Sequence, residues 1–270
     1  MRPKLLIFVL FCVIACVASL SAFRFSGRTA RSAVSAQERV SRHPVEPYFA
    51  TFDEVVQRVG EAAKTSSRRT VAVRSDGAKV EKMEVLGTYP LTRREVYLPN
   101  GVEVTIQETF RLVLARQTNL WNPTSATRLD PESSCQATFD GVQEHRSMGP
   151  DETIQGLRAV HVTGVSKSAW EHWFLPDVEC AEAKRLAVFK DTNGVVTDTS
   201  ELVATDFKRE EPPASLFEIP RDYLEVPPSE ITKRHAAYIH HTMADVEVNF
   251  LATVDAQYQK NKVSVKSLTY

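Results

Sequence analysis

The sequence predicts an α+β domain in which an antiparallel β-meander lies between an N-terminal helix and a long C-terminal helix. β-Favouring runs fill residues 69–207, Asp-Gly or Asn-Gly pairs separate several of these runs, and an amphipathic segment without Gly or Pro follows them. Because no helical stretches separate the strands, a wide parallel α/β sheet is disfavoured.

The first ordered element is predicted to be a helix from about Thr51 to Thr65. Thr51 and Glu54 have the spacing of a capping box, in which their side chains bond the free amides at a helix start. The apolar residues that follow recur at helical spacing; they are Phe52, Val55, Val56, Val59 and Ala63.

Three turn signals divide the central region into hairpins. They are the pairs at 76–77, 100–101 and 193–194, and each pair accepts the positive φ angles of tight hairpin turns. Strands are predicted at residues 70–73, 79–85, 95–98, 102–106, 109–115, 157–166, 171–174, 186–189, 195–199 and 202–208. In 102–106, apolar residues alternate with Glu103 and Thr105, so one face is expected to be buried and the other to be wet or covered by a helix.

The chain after the strands is predicted to end in one long helix. Residues 210–228 are acidic and rich in proline, which indicates an extended closing segment. Residues 229–260 then carry an apolar stripe at helical spacing, formed by Ile231, His235, Ile239, Met243, Val246, Phe250 and Val254. We expect the stripe to pack on the sheet, with another helix or a second copy of the protein as the alternatives.

The amino terminus predicts export. Arg2 and Lys4 precede a run of 19 residues, 5–23, that contains no charge. A basic start before an apolar run is typical of a secretory signal, and the run also reaches the roughly 18 residues of a membrane span. Three interpretations stay open: a signal peptide cleaved after Ala18 or Ala22, a retained membrane anchor, and a lipoprotein acylated at Cys16. The small residues before Phe23 and the arginines after it favour cleavage.

An exported chain would lie in the periplasm or at the outer face of the cytoplasmic membrane, and would touch that membrane through residues 1–23 if they are not cleaved. The predicted boundaries are 1–23 for the signal or anchor, 24–48 for a flexible polar tether, 49–228 for the helix and sheet, and 229–270 for the C-terminal helix and tail. Because Cys12 and Cys16 lie in the apolar run, Cys135 and Cys180 remain to form one disulfide. A metal site or a reactive thiol is the alternative.

Composition and motifs favour a non-enzymatic protein without cofactor or metal. The net charge is −1 and no basic stretch is interleaved with aromatic residues, which disfavours a nucleic-acid partner. His235, His240 and His241 do not have the spacing of ligands on one helix face, and HExxH and G-x-S-x-G motifs are absent from the sequence. A hydrolase without a recognisable motif stays as a third hypothesis, which a polar pocket joining His161 or His172 to a carboxylate would support.

The aromatic residues near position 172 are the candidates for lining a ligand cavity. On a strand, Trp170 and Phe174 share one face while Trp173 takes the other, and His161 lies among valines that face away from it. These side chains are interpreted either as core anchors or as the lining of an apolar concavity.

Residues 215–223 (SLFEIPRDY) resemble the closing strand of the LolA-like, outer-membrane lipoprotein-sorting type of exported bacterial protein. Residues 173–177 (WFLPD) are similar to the strand in which such proteins carry an aromatic residue before a Pro-Asp turn. The resemblance covers roughly residues 68–228. It implies a strongly curved, half-barrel-like sheet that is closed by helices over an apolar cavity, where several members bind lipids or acyl chains.

The resemblance therefore implies a non-enzymatic envelope protein that binds a lipid or another apolar ligand, with Trp170, Trp173, Phe174 and His161 as cavity candidates. The family has no fixed binding motif, so no site residue follows from it. The alternative is a structural or interaction protein that meets a protein partner or itself through residues 229–260. The long C-terminal helix and the charged proline-rich segment depart from the family pattern.

Overall fold

The computed structural model describes residues 46–118, 146–165, 169–178 and 180–268. In this part of the chain the strands are β1 (Tyr48–Arg58), β2 (Lys64–Val73), β3 (Lys79–Val85), β4 (Leu91–Tyr97), β5 (Val102–Gln107), β6 (Leu112–Gln117), β7 (Arg146–Met148), β8 (Glu152–Ile154), β9 (Leu157–Val165), β10 (Ala169–Leu175), β11 (Ala181–Lys190), β12 (Val196–Lys208) and β13 (Leu224–Glu225). The helices are α1 (Pro228–Tyr238) and α2 (Asp245–Asn261).

The strands form one open sheet in the order β13-β6-β5-β4-β3-β2-β1-β12-β11-β10-β9-β7, with β8 paired to β9. Each neighbouring pair is antiparallel except β6 and β13, which run parallel. The predicted antiparallel sheet is therefore confirmed for the described residues.

A contact across the sheet agrees with the predicted curvature. Arg69 on β2 lies 3.6 Å from Glu182 on β11, although β1 and β12 separate the two strands. Neighbouring strands lie about 4.8 Å apart, so β2 and β11 would be about 14 Å apart in a flat sheet. The two side chains meet over the intervening strands, a contact that a curved sheet favours.

The three predicted hairpin turns are confirmed. Gly77, Gly101 and Gly194 have φ angles of 88°, 80° and 80°. Glycine is needed at 101 for a second reason, since a Cβ there would lie 2.9 Å from the backbone carbonyl oxygen of Thr118. Several predicted strand limits are wrong. The strand expected at 109–115 begins at Leu112 after a 3₁₀ turn, and the runs 195–199 and 202–208 belong to the single strand β12. The strands expected at 70–73, 95–98 and 186–189 begin earlier, at Lys64, Leu91 and Ala181.

The predicted N-terminal helix is wrong, because residues 48–58 form strand β1. Tyr48, Ala50 and Phe52 alternate into the core, which is the period of a strand, and β1 pairs with β2 on one side and β12 on the other. The residues of the expected capping box bond across the sheet instead. The Thr51 hydroxyl lies 3.1 Å from that of Thr205, and the Glu54 carboxylate accepts from serines on both neighbouring strands.

The predicted single C-terminal helix is also wrong, because it is divided into α1 and α2. His240 has a φ of 56° and ends α1 in the left-handed conformation. The amide of His241 donates to the Ala236 carbonyl and that of His240 to the Ala237 carbonyl, which is the Schellman pattern. A second helix begins after the bend, where the Ala244 amide donates to the Glu247 carboxylate.

The core lies on both faces of the sheet. One apolar cluster joins β3–β6 to the residues that follow the sheet, including Phe217, Val265 and Leu268. Strand β5 is buried on both faces. The face that carries Glu103 and Thr105, which was expected to be wet or covered by a helix, is therefore buried, and Glu103 is only 2% exposed.

The apolar stripe of the C-terminal segment is only partly covered. Ile239 of the predicted stripe is buried, and Leu251 and Tyr258 bury the inner side of α2. Val246 and Phe250 remain 73% and 48% exposed. The segment is therefore core on one side and solvent-facing on the other.

Within the described ranges, no helix has the length and apolarity needed to cross a membrane. The signal, anchor and acylation interpretations fall on residues 1–23, which lie outside those ranges. The domain boundaries stay predictions.

Candidate functional site

Two of the four predicted cavity residues lie in a row on one face of β10. His172 stands between them, in edge contact with Trp170 at 4.6 Å and stacked on Phe174 at 5.5 Å between ring centroids. We call Trp170, His172 and Phe174 the aromatic row. Its inner end is buried, because Phe174 belongs to an apolar cluster with Val160, Val162 and Cys180.

The other two candidates, Trp173 on β10 and His161 on the neighbouring β9, lie on the opposite face of the sheet. The rings of His161 and Trp173 stack at 4.2 Å with an angle of 3° between them. Lys184 Nζ lies 4.3 Å from the centre of the Trp173 ring, and Trp173 is 4% exposed. Trp173 is therefore a packed core residue, and the structure does not bring the four candidates together.

Both histidines near the aromatic residues contact carboxylates. His161 Nε2 lies 2.8 Å from Glu171, and His172 Nδ1 lies 2.5 Å from Glu182.

A cavity of about 160 Å³ opens between residues of β1, β2, β3 and the start of β11, and we call it the sheet cavity. Its apolar wall comes from β1 and β2, and its charged rim from β2, β3 and β11. The lining residues are Tyr48, Phe52, Arg69, Val71, Lys79, Cys180, Ala181 and Glu182. It lies next to the aromatic row, since Cys180 belongs to the same buried cluster as Phe174 and Glu182 is bonded to His172.

The charges at the rim of the sheet cavity are held in pairs. Glu81 lies 2.6 Å from Lys79 and accepts from Arg69 at 2.8 Å. Burial alone would raise the pKa of Glu81, but attraction to Lys79 and Arg69 outweighs it and places the pKa at about 2. Burial also acts to raise the pKa of Glu182, and the bond from His172 with the charges of Arg185 and Arg69 lowers it overall. Both carboxylates are ionised at neutral pH.

A second, wider cleft of about 570 Å³ is polar. Arg94 spans it, paired with Glu108 at 2.9 Å and donating to the Leu216 carbonyl at 2.6 Å, so it fixes the segment after the sheet onto β4. Lys82 and Glu84 form a further pair in the wall at 2.7 Å. These matched charges do not suit an apolar ligand.

Sequence reasoning missed most residues of the sheet cavity. Tyr48, Lys79 and Glu182 are far apart in the chain, and no motif connects them. The described ranges contain no group of three metal-ligating side chains. Cys180 is buried, while Cys135 lies outside the described residues, so their disulfide stays a prediction.

No known protein family and no curated protein matches this sequence. Among solved structures, the chain is similar to the Pseudomonas aeruginosa MucA/MucB complex, with a TM-score of 0.36, 14% identity, and coverage of 70% of this chain and 60% of that one. It is also similar to a LolA superfamily protein from Nitrosomonas europaea, with a TM-score of 0.22 and 11% identity. That match covers 66% of this chain and 92% of the other. The lipoprotein LppX of Mycobacterium tuberculosis is similar with a TM-score of 0.26 and 10% identity, and the match covers 61% of this chain and 89% of that one.

The chain spans 60% of the MucB chain that it matches.

Proposed function

We propose that this protein is an exported, non-enzymatic binding protein that takes the apolar group of a ligand into the sheet cavity. The observation that carries the proposal is the recess lined by Tyr48, Phe52 and Val71, next to the buried end of the aromatic row. Export is proposed from the character of residues 1–23.

The volume of the sheet cavity limits the ligand. At about 160 Å³ it is close to the roughly 150 Å³ of an apolar cavity that accepts benzene. It therefore suits about six carbon atoms, such as the end of an acyl chain or an aromatic ring. Burying six methylene groups contributes about 5 kcal/mol before the cost of association, so we expect weak binding of isolated ligands.

A fluorescent probe tests this proposal. N-phenyl-1-naphthylamine should bind the mature protein with increased emission, and octanol should displace it. Ala181→Phe places a ring at the cavity wall and should abolish binding. Ala187→Phe is the matched control, because Ala187 lies on the same strand with a similar burial but pairs with Trp170 and does not line the cavity. Equal binding by both variants, or no binding by the unmodified protein, would contradict the proposal.

The exposed side of α2 supports a second candidate function, association with another copy of this chain. Val246 and Phe250 lie one turn apart at 73% and 48% exposure. The exposed residues between 246 and 259 are uncharged, and the two acidic residues of this stretch, Glu247 and Asp255, are only partly exposed, so α2 offers an apolar strip to a second copy.

Deletion of residues 229–270 would not test association cleanly, because it removes the buried Leu251, Tyr258 and Val265. Val246→Asp is the sharper change, and it should convert a dimer to a monomer in sedimentation equilibrium. Val59→Asp is the control, since Val59 is 71% exposed on a hairpin turn. A monomeric unmodified protein at high concentration would rule out this candidate.

A further inference from the structure

Arg185 is a cation beside the sheet cavity whose guanidinium has no hydrogen-bonded partner among the described residues. Its nearest carboxylate oxygens, on Glu54 and Glu182, are both 4.0 Å away, which is beyond hydrogen-bond distance. The side chain is 37% exposed, so a ligand can reach it. A guanidinium offers five N–H donors in a planar fork.

The two nearby carboxylates are engaged elsewhere. Glu54 accepts from Ser67 at 2.7 Å and from Ser200 at 2.8 Å, which uses both of its oxygens. Glu182 is bonded to His172 at 2.5 Å. Both carboxylates therefore stay in ionic contact with Arg185 at 4.0 Å but leave its N–H donors without a hydrogen bond.

The other cations at the rim differ from Arg185. Arg69 and Lys79 approach the Glu81 carboxylate at 2.8 Å and 2.6 Å. A ligand would have to break these bonds to use either cation. Among the cations at or next to the rim that the structure describes, Arg185 is the one able to accept an anion without that cost.

The surroundings of Arg185 match the proposed apolar site. It pairs with His172 in the register of β10 and β11, so it lies beside the middle of the aromatic row. Glu182, 4.0 Å from Arg185, lines the sheet cavity. An anion on the guanidinium would therefore stand next to the apolar recess.

We infer that the ligand of the sheet cavity carries an anionic head, a carboxylate or a phosphate, which the Arg185 guanidinium binds while the apolar group enters the cavity. This inference rests on the proposed function. Three cations and three carboxylates surround the site, so it has no net charge to attract an anion; they are Arg69, Lys79 and Arg185 with Glu54, Glu81 and Glu182. The anionic head therefore gains affinity from hydrogen bonds to the Arg185 guanidinium. A partly exposed contact of this kind is expected to give about a three- to tenfold preference.

The experiment compares three eight-carbon ligands as competitors of N-phenyl-1-naphthylamine: octanoate, octyl phosphate and octanol. Both anions should bind the unmodified protein about three- to tenfold more tightly than octanol. Arg185→Gln should reduce their affinity to that of octanol and leave octanol binding unchanged. Arg185→Lys should keep part of the preference, because lysine retains the charge and loses the fork. Whichever anion binds more tightly identifies the head group.

The control is Arg158→Gln, which removes an exposed arginine paired with Asp151 and should change nothing. Equal affinity for octanol and both anions would overturn the head-group inference and leave the cavity proposal standing. A preference that persists in Arg185→Gln would overturn the assignment to Arg185. Failure of all three ligands to bind would instead overturn the proposed function.

Discussion

Glu103 is a buried carboxylate whose hydrogen-bonded cation is Arg116. It is 2% exposed, and Arg116 on the neighbouring strand donates to both of its oxygens at 2.9 and 3.0 Å. Burial raises the pKa of Glu103 even though Arg116 acts to lower it. The pair therefore adds little net stability. If one member is removed, however, the other becomes an uncompensated charge, which is strongly destabilising when it is buried.

Removing the cation should be more harmful than removing the pair. We expect Arg116→Met to lower the free energy of unfolding by about 3 kcal/mol, because Glu103 then stays buried without a counter-charge. The double variant with Glu103→Gln should recover most of that loss. Urea unfolding of both proteins provides the measurement, and an Arg116→Met protein as stable as the unmodified one would contradict this explanation.

At the scale of elements, the break between α1 and α2 depends on one backbone conformation. His240 occupies the left-handed position of a Schellman motif, where glycine is the usual residue because it has no Cβ. The His240 side chain contributes only an edge contact to Tyr89 at 6.2 Å. The cost of the left-handed conformation should exceed the value of that contact.

His240→Gly should therefore stabilise the protein by about 0.5–1 kcal/mol, through relief of the backbone. His241→Gly provides the comparison, because His241 does not have a positive φ and lies 3.5 Å from Glu247. That change should destabilise the protein. Thermal unfolding of the two variants would separate them, and a lower melting temperature for His240→Gly would argue against strain at this position.

At the scale of the whole molecule, we expect acid to destabilise the fold by protonating a carboxylate that joins two strands of the sheet. Glu81 joins Lys79 on its own strand to Arg69 on the next one. Its pKa is about 2 in the folded protein against an ordinary value of 4.5. Because the folded pKa is the lower of the two, the contribution of Glu81 is fully present above pH 4.5 and is lost as the pH falls towards 2.

We expect the free energy of unfolding to fall by about 3 kcal/mol between pH 5 and pH 2 through Glu81 alone. Glu81→Gln should lower stability at pH 7 and make its dependence on pH shallower in this range. Urea unfolding at a series of pH values measures both effects. Parallel pH profiles for the two proteins would show that Glu81 is not the group responsible.

Local signals in the sequence were sufficient for the hairpins and misleading for two other elements. Asp76-Gly77 and Asn193-Gly194 specify their turns through their own backbone preferences. The strands on either side of each turn could therefore be predicted from the sequence. Phe52 and the valines after it fit a helical spacing as well as a strand, and pairing with β2 and β12 decides between the two. His240 carried no sign of a helix end, because only the bend between α1 and α2 places it in the left-handed region.

The candidate site was predicted in part for the same reason. That Trp170 and Phe174 share a face follows from the alternation of a strand, and the structure places both in the aromatic row. The stacking of His161 on Trp173 required the register between β9 and β10. Arg185 showed no distinguishing feature in the sequence, since its importance lies in the distances to Glu54 and Glu182.

The sequence by itself determined the antiparallel sheet, its hairpin turns and the prediction of export, because each depends on residues that are close together in the chain. The tertiary structure alone decided the identity of β1, the division of the last helix and the position of the sheet cavity. Residues of β1, β2, β3 and the start of β11 together line that cavity. These segments are far apart in the chain, and no short stretch of sequence encodes the contacts between them.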